Sequence, residues 1–257
     1  MTEHASGREV HLYPAFNALY YSFYAEGLRR VVGPGRIRLT ASGFPDLGSH
    51  GLALRLVGRE ERRIFISASD GPGLNAEALA WCDLFVKVNL DPAQVPAHAA
   101  HKVMAPGPSF PVRAWGPAAA AFAAAGSFVA ARGRVPSVRE HFANYRRQYR
   151  YRLEEEAYRP GESEGDYVFF LSTLWRSEPE TNRLRSLFVQ AASGRSGLRF
   201  EGGFAPRRGA PVPGFEEETA PRRVSIAEYV EKTKRSCAVF NTPAVSGCHG
   251  WKLGEFL

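Results

Sequence analysis

The stretch Tyr-Val-Phe-Phe-Leu at residues 167–171 is an uninterrupted apolar run with the length of one β-strand. A strand that is apolar on both faces is typical of a parallel sheet covered by helices on its two sides. A polar loop follows it, then a segment predicted to be a helix at residues 182–192 and a second strand at residues 198–201. This order of elements predicts an α/β fold.

The chain on either side of this unit continues the alternation. Downstream, Ser225 and Glu228 form a capping box that predicts a helix up to residue 235, and residues 237–240 predict a further buried strand. Upstream, strands are expected at residues 10–13, 37–40, 53–57, 63–67 and 84–88, and helices at residues 18–32, 75–81, 118–131 and 137–158. The first half is therefore expected to hold a parallel sheet of its own.

Two polar stretches interrupt the pattern. Residues 159–165 contain proline and glycine and are expected to end the preceding helix. We therefore place a boundary there, between a domain at residues 1–160 and a domain at residues 166–257. Residues 206–223 are rich in proline, arginine and glutamate, which predicts a mobile surface loop.

The composition is that of an ordinary globular protein. The 257 residues are 44% hydrophobic and 23% charged, and no run of about 18 apolar residues is present to cross a membrane. The first ten residues are polar and lack a signal-peptide core, which indicates a cytoplasmic protein. The three cysteines, Cys82, Cys237 and Cys248, lack the spacing of a zinc site or a disulfide framework. Cys82 and Cys237 lie in apolar surroundings and are expected in the core.

The formal net charge is +7. The densest basic stretch, residues 132–152, is interleaved with Tyr145, Tyr149 and Tyr151. Three interpretations stay open for it: a solvated helix face, contact with a phosphate-bearing substrate or an anionic membrane surface, and contact with nucleic acid. The remaining basic residues are scattered, so the charge by itself does not identify a partner.

The most informative segment follows the strand predicted at residues 237–240. The loop Asn-Thr-Pro-Ala-Val-Ser-Gly-Cys-His-Gly leads into a helix, whose N-terminus offers backbone N–H groups and a positive dipole end to a phosphate. Gly247 and Gly250 let the backbone approach a ligand, and Lys252 adds a charge. Glu255 lies on the same helix face, where it can accept hydrogen bonds from ribose hydroxyls. In the alternative, the glycines only shape a turn and Lys252 and Glu255 form a surface pair.

Three segments of the second half resemble bacterial glycosyltransferases with the GT-B architecture, of families 1 and 4. Residues 236–257 carry Phe-Asn-Thr-Pro-Ala-Val and then Cys-His-Gly-Trp-Lys-Leu-Gly-Glu-Phe-Leu. Residues 168–185 contain Ser-Thr-Leu-Trp-Arg and Asn-Arg-Leu-Arg, and residues 200–206 read Phe-Glu-Gly-Gly-Phe-Ala-Pro. Less distinctly, residues 81–89 look similar to the same family.

The resemblance implies two Rossmann-like domains with parallel sheets that face each other across a cleft. The domain at residues 1–160 would lie on the acceptor side, and the domain at residues 166–257 would bind a nucleotide-diphosphate sugar. The reaction implied is transfer of the sugar to an acceptor hydroxyl, in cell-surface polysaccharide or glycan synthesis, with no cofactor and no obligatory metal.

The resemblance also implies a set of donor-binding residues, which are Arg176, Gly247, His249, Gly250, Lys252 and Glu255. Glu255 matches the acidic residue that holds the donor ribose, and Gly250 and Lys252 match the loop and helix start near the diphosphate. Arg176 is the candidate for neutralising the leaving diphosphate, whose negative charge grows in the transition state.

One departure from the family bears on the mechanism. Many retaining relatives carry a second glutamate eight positions before the ribose-binding one, and here that position is Gly247. An inverting enzyme needs a base from the first domain, and Asp70, in Ser-Ala-Ser-Asp-Gly-Pro-Gly, is the candidate. Asp-Gly is also an ordinary turn pair, and that alternative stays open. His11 and His50 are weaker candidates for the base.

The sequence ends at Leu257, about two turns into the predicted donor helix. The resemblance therefore implies a C-terminally truncated chain with an incomplete donor site. The expected partners are a nucleotide-sugar donor and a glycan or other hydroxyl acceptor, with peripheral contact to the inner membrane surface as a further candidate and no nucleic acid. The alternative to an enzyme is a non-catalytic nucleotide- or glycan-binding protein derived from a transferase.

Overall fold

The computed structural model of the protein describes residues 9–207, 209 and 212–256. The chain divides into two compact units, Met1–Glu154 and Glu155–Leu257. The division falls close to the polar stretch at residues 159–165, where the sequence places a domain boundary. Each unit has its own sheet, with helices packed against it.

The first unit contains a six-stranded sheet. Its strands are β1 (Glu9–Leu12), β2 (Ile37–Leu39), β3 (Leu52–Val57), β4 (Arg62–Ser67), β5 (Leu84–Lys87) and β6 (Val103–Met104). They lie in the order β2-β1-β3-β4-β5-β6. β3 is antiparallel to both neighbours, and the other pairs are parallel. The α/β class is confirmed, whereas the expectation of an entirely parallel sheet is wrong for β3.

The reversal of β3 follows from its connection to β4. Only the four residues 58–61 join the two strands. A parallel pair needs a crossover of about a dozen or more residues, so a link this short produces a hairpin. Leu52 accordingly lies opposite Ile66, and Leu56 lies opposite Arg62.

Among the described residues, four α-helices accompany this sheet. They are α1 (Ser22–Val32), α2 (Ala76–Trp81), α3 (Pro117–Ala130) and α4 (Val138–Tyr151). α1 begins later than predicted, because the side chain of Asn17 accepts hydrogen bonds from the backbone N–H groups of Leu19 and Tyr20 and holds a turn there.

α4 begins where the sequence predicts, since the Ser137 hydroxyl accepts a hydrogen bond from the N–H of Glu140. It ends at Tyr151, however, and not at residue 158. The carbonyl of Leu153 accepts a hydrogen bond from the N–H of Arg113 at 2.7 Å, which is a non-helical contact. Residues 155–158 form a separate 3-10 turn.

Both faces of the six-stranded sheet are buried. Leu52 of β3 lies in one apolar cluster with Ala25 of α1 and Tyr145 of α4. Ala53, the next residue, points to the other face and lies in a cluster with Leu79 of α2. Successive side chains of a strand alternate between faces, so helices on both sides are needed to bury this pattern.

In the second unit, the described residues form two parallel strands and three α-helices. β7 (Tyr167–Ser172) and β8 (Arg199–Phe204) match the strands predicted from the apolar run and its successor. α5 (Pro179–Ser193) packs against β8, and α6 (Ile226–Arg235) packs against β7. α7 (Trp251–Phe256) begins at the residue predicted for the last helix.

The strand expected at residues 237–240 is not formed. The N–H of Cys237 still donates a hydrogen bond to the carbonyl of Tyr167, the first residue of β7, at 2.8 Å. The chain then leaves the sheet, and the ring of Phe240 stacks on Phe188 of α5 with centroids 4.1 Å apart. Cys237 is exposed, so its placement in the core is wrong, whereas Cys82 is buried as predicted.

Gly202 of β8 allows a close approach to β7. Its φ is +126°, and a Cβ at this position would lie 1.8 Å from the carbonyl oxygen of Phe170. Phe204, at the end of the same strand, is hydrogen-bonded on its other side to the backbone of Glu218 and Ala220. Part of the loop expected at residues 206–223 therefore extends the strand pairing.

Residues 208, 210 and 211 of that predicted loop lie outside the described residues. Within the described ranges, none of the helices combines the length and the apolar character that a bilayer crossing requires. The same ranges contain no group of three or more histidine, cysteine, aspartate or glutamate side chains placed to hold a metal ion.

Candidate functional site

A buried arginine lies at the carboxyl end of β7. Arg185 is carried by α5, on the helix face that also buries Asn182 and Val189, and it is only 6% exposed. Its Nε donates a hydrogen bond to Thr242 Oγ1 and its Nη1 to the carbonyl of Thr173, each at 2.9 Å. Thr173 directly follows β7, so the guanidinium is fixed at the strand end.

The guanidinium of Arg185 is not neutralised by an acid among the described residues, since both of its hydrogen-bond partners there are neutral oxygens. Burial lowers the pKa of Arg185 from its ordinary value. A charged side chain that is buried without a counter-ion is costly, so a position of this kind is typical of a site that an anion completes.

Lys252 of α7 brings a second cation to the same strand end. Its Nζ donates a hydrogen bond to the carbonyl of Leu171 in β7 at 2.5 Å, and it lies 4.7 Å from the ring centroid of Phe170. Burial, and next the charge of Arg185, lower the pKa of Lys252 to about 7, while Glu255 acts in the opposite direction. The two like charges and the low dielectric surroundings make this cluster receptive to an anion.

Two further arginines lie near the same edge of the second unit. Arg207, which follows β8, donates a hydrogen bond from Nη1 to the carbonyl of Leu174 at 2.7 Å. Arg176, which sequence reasoning assigned to the leaving diphosphate, is exposed in the loop after β7. These two side chains are more accessible than Arg185 and could contact the outer part of a ligand.

The predicted glycine loop has a defined conformation. The N–H groups of Gly247 and Cys248 donate hydrogen bonds to the carbonyls of Ala244 and Val245, both at 3.2 Å. Gly247 has a φ of +69°, which explains the glycine. Because these two amides are bonded within the turn, the cations of Arg185 and Lys252 are the better candidates for anion contacts.

The other predicted donor-binding residues in and after this loop differ in their exposure to solvent. His249 is exposed, and Gly250 packs so close to Ala244 that a Cβ at Gly250 would lie 3.2 Å from the Ala244 Cβ. Glu255 is half-buried and lines a small depression with residues of α6, including Tyr229 and Thr233. Its charge raises the pKa of Lys252, so the two side chains interact electrostatically.

Asp70, the predicted base, lies in the first unit, in the loop after β4. Its pKa is raised by burial, and the charge of Lys87 counteracts the rise. Lys87, at the end of β5, is completely buried and donates hydrogen bonds to the carbonyl and the hydroxyl of Ser69, at 2.7 and 3.0 Å. Burial, and next the charge of Asp70, raise the pKa of Tyr20. Asp70 therefore lies within electrostatic range of both Lys87 and Tyr20.

Three residues of functional interest are not among the candidates that the sequence predicts: Arg185, Thr242 and Lys87. Arg185 had a signal that could have identified it, because it interrupts the buried face of a predicted helix, where arginine is rare without a partner. Lys87 had a similar signal, since it ends a buried apolar strand. Thr242 had none, because its role depends on the loop that brings it to α5.

Comparison of the chain with protein-family models, curated proteins and solved structures gave no match. The fold therefore defines the class: an α/β protein with a mostly parallel six-stranded sheet in its first unit. In its second unit, the buried Arg185 and the half-buried Lys252 lie at the carboxyl end of a parallel strand, which is where ligands bind in open α/β sheets.

Proposed function

We propose that the protein is a glycosyltransferase of the GT-B architecture that moves a sugar from a nucleotide-diphosphate donor to an acceptor hydroxyl. The observation that carries this proposal is the pair of Arg185, which is buried, and Lys252, which is half-buried, at the carboxyl end of β7. Arg185 has no acidic partner among the described residues. The resemblance of residues 236–257 to donor-site segments supports a sugar nucleotide as the anion.

The charge development of the reaction explains why two cations would be useful. As the bond between the anomeric carbon and the diphosphate breaks, the electron pair stays with the leaving oxygen and negative charge accumulates there. Arg185, and Lys252 in its protonated form, are fixed before the reaction, so they would stabilise this charge without reorganisation. Arg176 would add an accessible charge, and Glu255 would accept hydrogen bonds from the ribose.

The acceptor hydroxyl must lose its proton as it attacks the anomeric carbon. Asp70 is the proposed base, because burial raises its pKa and makes it a stronger proton acceptor. Gly247 stands where a second glutamate would be found in many retaining relatives, which favours an inverting reaction with Asp70 in this role.

The test is binding followed by turnover. The purified chain and Arg185→Met would be titrated calorimetrically with UDP, GDP, ADP and dTDP, with Arg183→Met, an exposed arginine of the same helix, as the matched control. We expect one of these nucleotides to bind to the wild type. Its affinity should fall about tenfold or more in Arg185→Met and should be unchanged in Arg183→Met. Equal affinities for wild type and Arg185→Met would refute the site.

Turnover separates the enzyme from the non-catalytic alternative. Sugar nucleotides carrying the base selected by calorimetry would be incubated with the chain and candidate acceptors, and the release of nucleoside diphosphate measured. Release that depends on the acceptor supports the transferase. Binding without release under any acceptor would support a nucleotide-binding protein in its place.

A further inference from the structure

α3 of the first unit is a helix without a charged residue. It reads Pro-Ala-Ala-Ala-Ala-Phe-Ala-Ala-Ala-Gly-Ser-Phe-Val-Ala, and its only hydroxyl, that of Ser127, is buried and donates a hydrogen bond to the carbonyl of Pro14 at 2.5 Å. The buried face of this helix consists of Ala120, Ala124 and Ser127. The side chains that remain must therefore present an apolar surface to the outside.

The outer face of α3 bears large exposed apolar side chains. Phe122 is 79% exposed and Val129 is 75% exposed, and Ala118 and Ala125 between and beside them are exposed too. Their spacing of three and four residues places them on one side of the helix. A surface helix normally carries charged and polar residues on this side, so a continuous apolar face marks an interaction surface.

α4, which packs against α3, places a row of arginines beside this face. Arg139, Phe142, Arg146 and Arg150 follow one another at helical spacing, and all four are exposed. Within the described part of the chain, Arg139, Arg146 and Arg150 form no salt bridge. Glu140, the one acid of α4, is paired with Arg147, although the charge of Arg139 also acts on it.

The apolar face and the arginine row are continuous. The ring of Phe142 in α4 lies 5.7 Å from the ring of Phe128 in α3, measured between centroids. Phe142 is 41% exposed and belongs to the arginine row, so it joins the two helices on their outer side.

The surface formed by α3 and α4 is both apolar and positively charged, and this combination favours one kind of binding partner over the others. A second copy of this chain would bring two arginine rows together, which like-charge repulsion opposes. Nucleic acid would use the arginines but would leave Phe122 and Val129 in water. An anionic bilayer uses both, because the apolar side chains enter the acyl boundary while the guanidinium groups contact lipid phosphates.

We propose that the hairpin of α3 and α4 docks the protein on an anionic membrane surface. Phe122 and Val129 supply the inserted apolar contacts, and Arg139, Arg146 and Arg150 supply the contacts with anionic headgroups. This surface is independent of the proposed transferase reaction, and its test does not use turnover.

The experiment is co-sedimentation of the purified chain with vesicles. One vesicle preparation would contain about one part phosphatidylglycerol to two parts phosphatidylcholine, and the other would contain phosphatidylcholine alone. The variants are Phe122→Ser with Val129→Ser, and Arg139→Gln with Arg146→Gln and Arg150→Gln. The matched control is Val31→Ser with Leu187→Ser, which removes two exposed apolar residues outside the hairpin.

We expect binding to the anionic vesicles, weakened about tenfold or more by either set of hairpin substitutions and unchanged by the control pair. Added salt should weaken binding of the wild type more than that of the arginine variant. Circular dichroism would verify that each variant is folded, which is expected because the altered side chains are exposed. The proposal would be overturned by equal binding to both vesicle types or by no vesicle binding. It would also be overturned if the wild type formed a concentration-dependent dimer that the Phe122→Ser, Val129→Ser variant does not form.

Discussion

Lys252 should make the stability of the protein depend on pH in an unusual direction. The pKa of Lys252 falls from its ordinary 10.5 to about 7 in the folded chain. Between these values the unfolded chain binds a proton that the folded chain does not, so the free energy of unfolding rises with pH. The rise amounts to about 1.4 kcal/mol per pH unit, or about 3 kcal/mol between about pH 7 and pH 9.5.

The perturbation is Lys252→Met, which leaves an unbranched side chain only one heavy atom shorter and removes the proton-binding group. Urea unfolding would be measured from about pH 6 to pH 9.5 in buffers free of phosphate, because an anion bound at Arg185 would distort the comparison. The stability of the wild type relative to the variant should increase by about 3 kcal/mol across this range.

Lys232→Met is the matched control. Hydrogen bonds to Glu201 and Glu228 raise the pKa of Lys232, so this lysine is protonated in both folded and unfolded chains throughout the range. Its stabilising contribution is fully present below pH 10.5, and Lys232→Met should shift the stability by the same amount at each pH. A difference between wild type and Lys252→Met that does not change with pH would refute the burial of the Lys252 ammonium.

Three further substitutions test other parts of the molecule. Gly202→Ala should destabilise the second unit by at least about 3 kcal/mol in urea unfolding, because its Cβ would overlap the β7 backbone. Gly165 has open space around it, so Gly165→Ala should cause little loss of stability. Similar losses for the two variants would contradict the close approach of β7 and β8 at Gly202. Glu255→Ala should weaken binding of the selected nucleoside diphosphate by roughly 1.5–3 kcal/mol in calorimetry, and an unchanged affinity would exclude Glu255 from the donor site. Asp70→Asn should reduce turnover about a hundredfold or more and remove the acid limb of the pH–rate profile; since burial raises the pKa of Asp70, that limb should lie above pH 3.8 in the wild type, and a limb that persists in the variant would identify another base.

Local patterns in the sequence predicted most elements of the fold. The apolar run at residues 167–171, the Ser137 and Ser225 caps and the helix that begins at Trp251 all appear where they were expected. The errors arose where one element depends on another. Residues 237–240 have a strand-like composition, but Phe240 finds a stacking partner in α5 and the segment leaves the sheet.

The candidate site was harder to predict than the fold, because it depends more on contacts between segments that are distant in the sequence. The sequence placed Lys252 and Glu255 on one short helix, and the structure shows that they interact electrostatically. It could not place Arg185 against Thr242, which lies 57 residues further along the chain, because no local pattern encodes a contact between distant segments. The direction of β3 was accessible in principle, since the strands predicted at residues 53–57 and 63–67 leave only five residues between them, too few for a parallel pair.

The reversed strand also has a kinetic consequence. Residues 52–67 form the only antiparallel hairpin of neighbouring strands among the described residues, and such a unit can close on the order of microseconds. The parallel pairs of the same sheet must first bring together segments separated by a whole helix or long loop, which slows their formation. We expect this hairpin to act as the template on which β1 and β5 assemble, so that substitutions within it alter the refolding rate more than the unfolding rate.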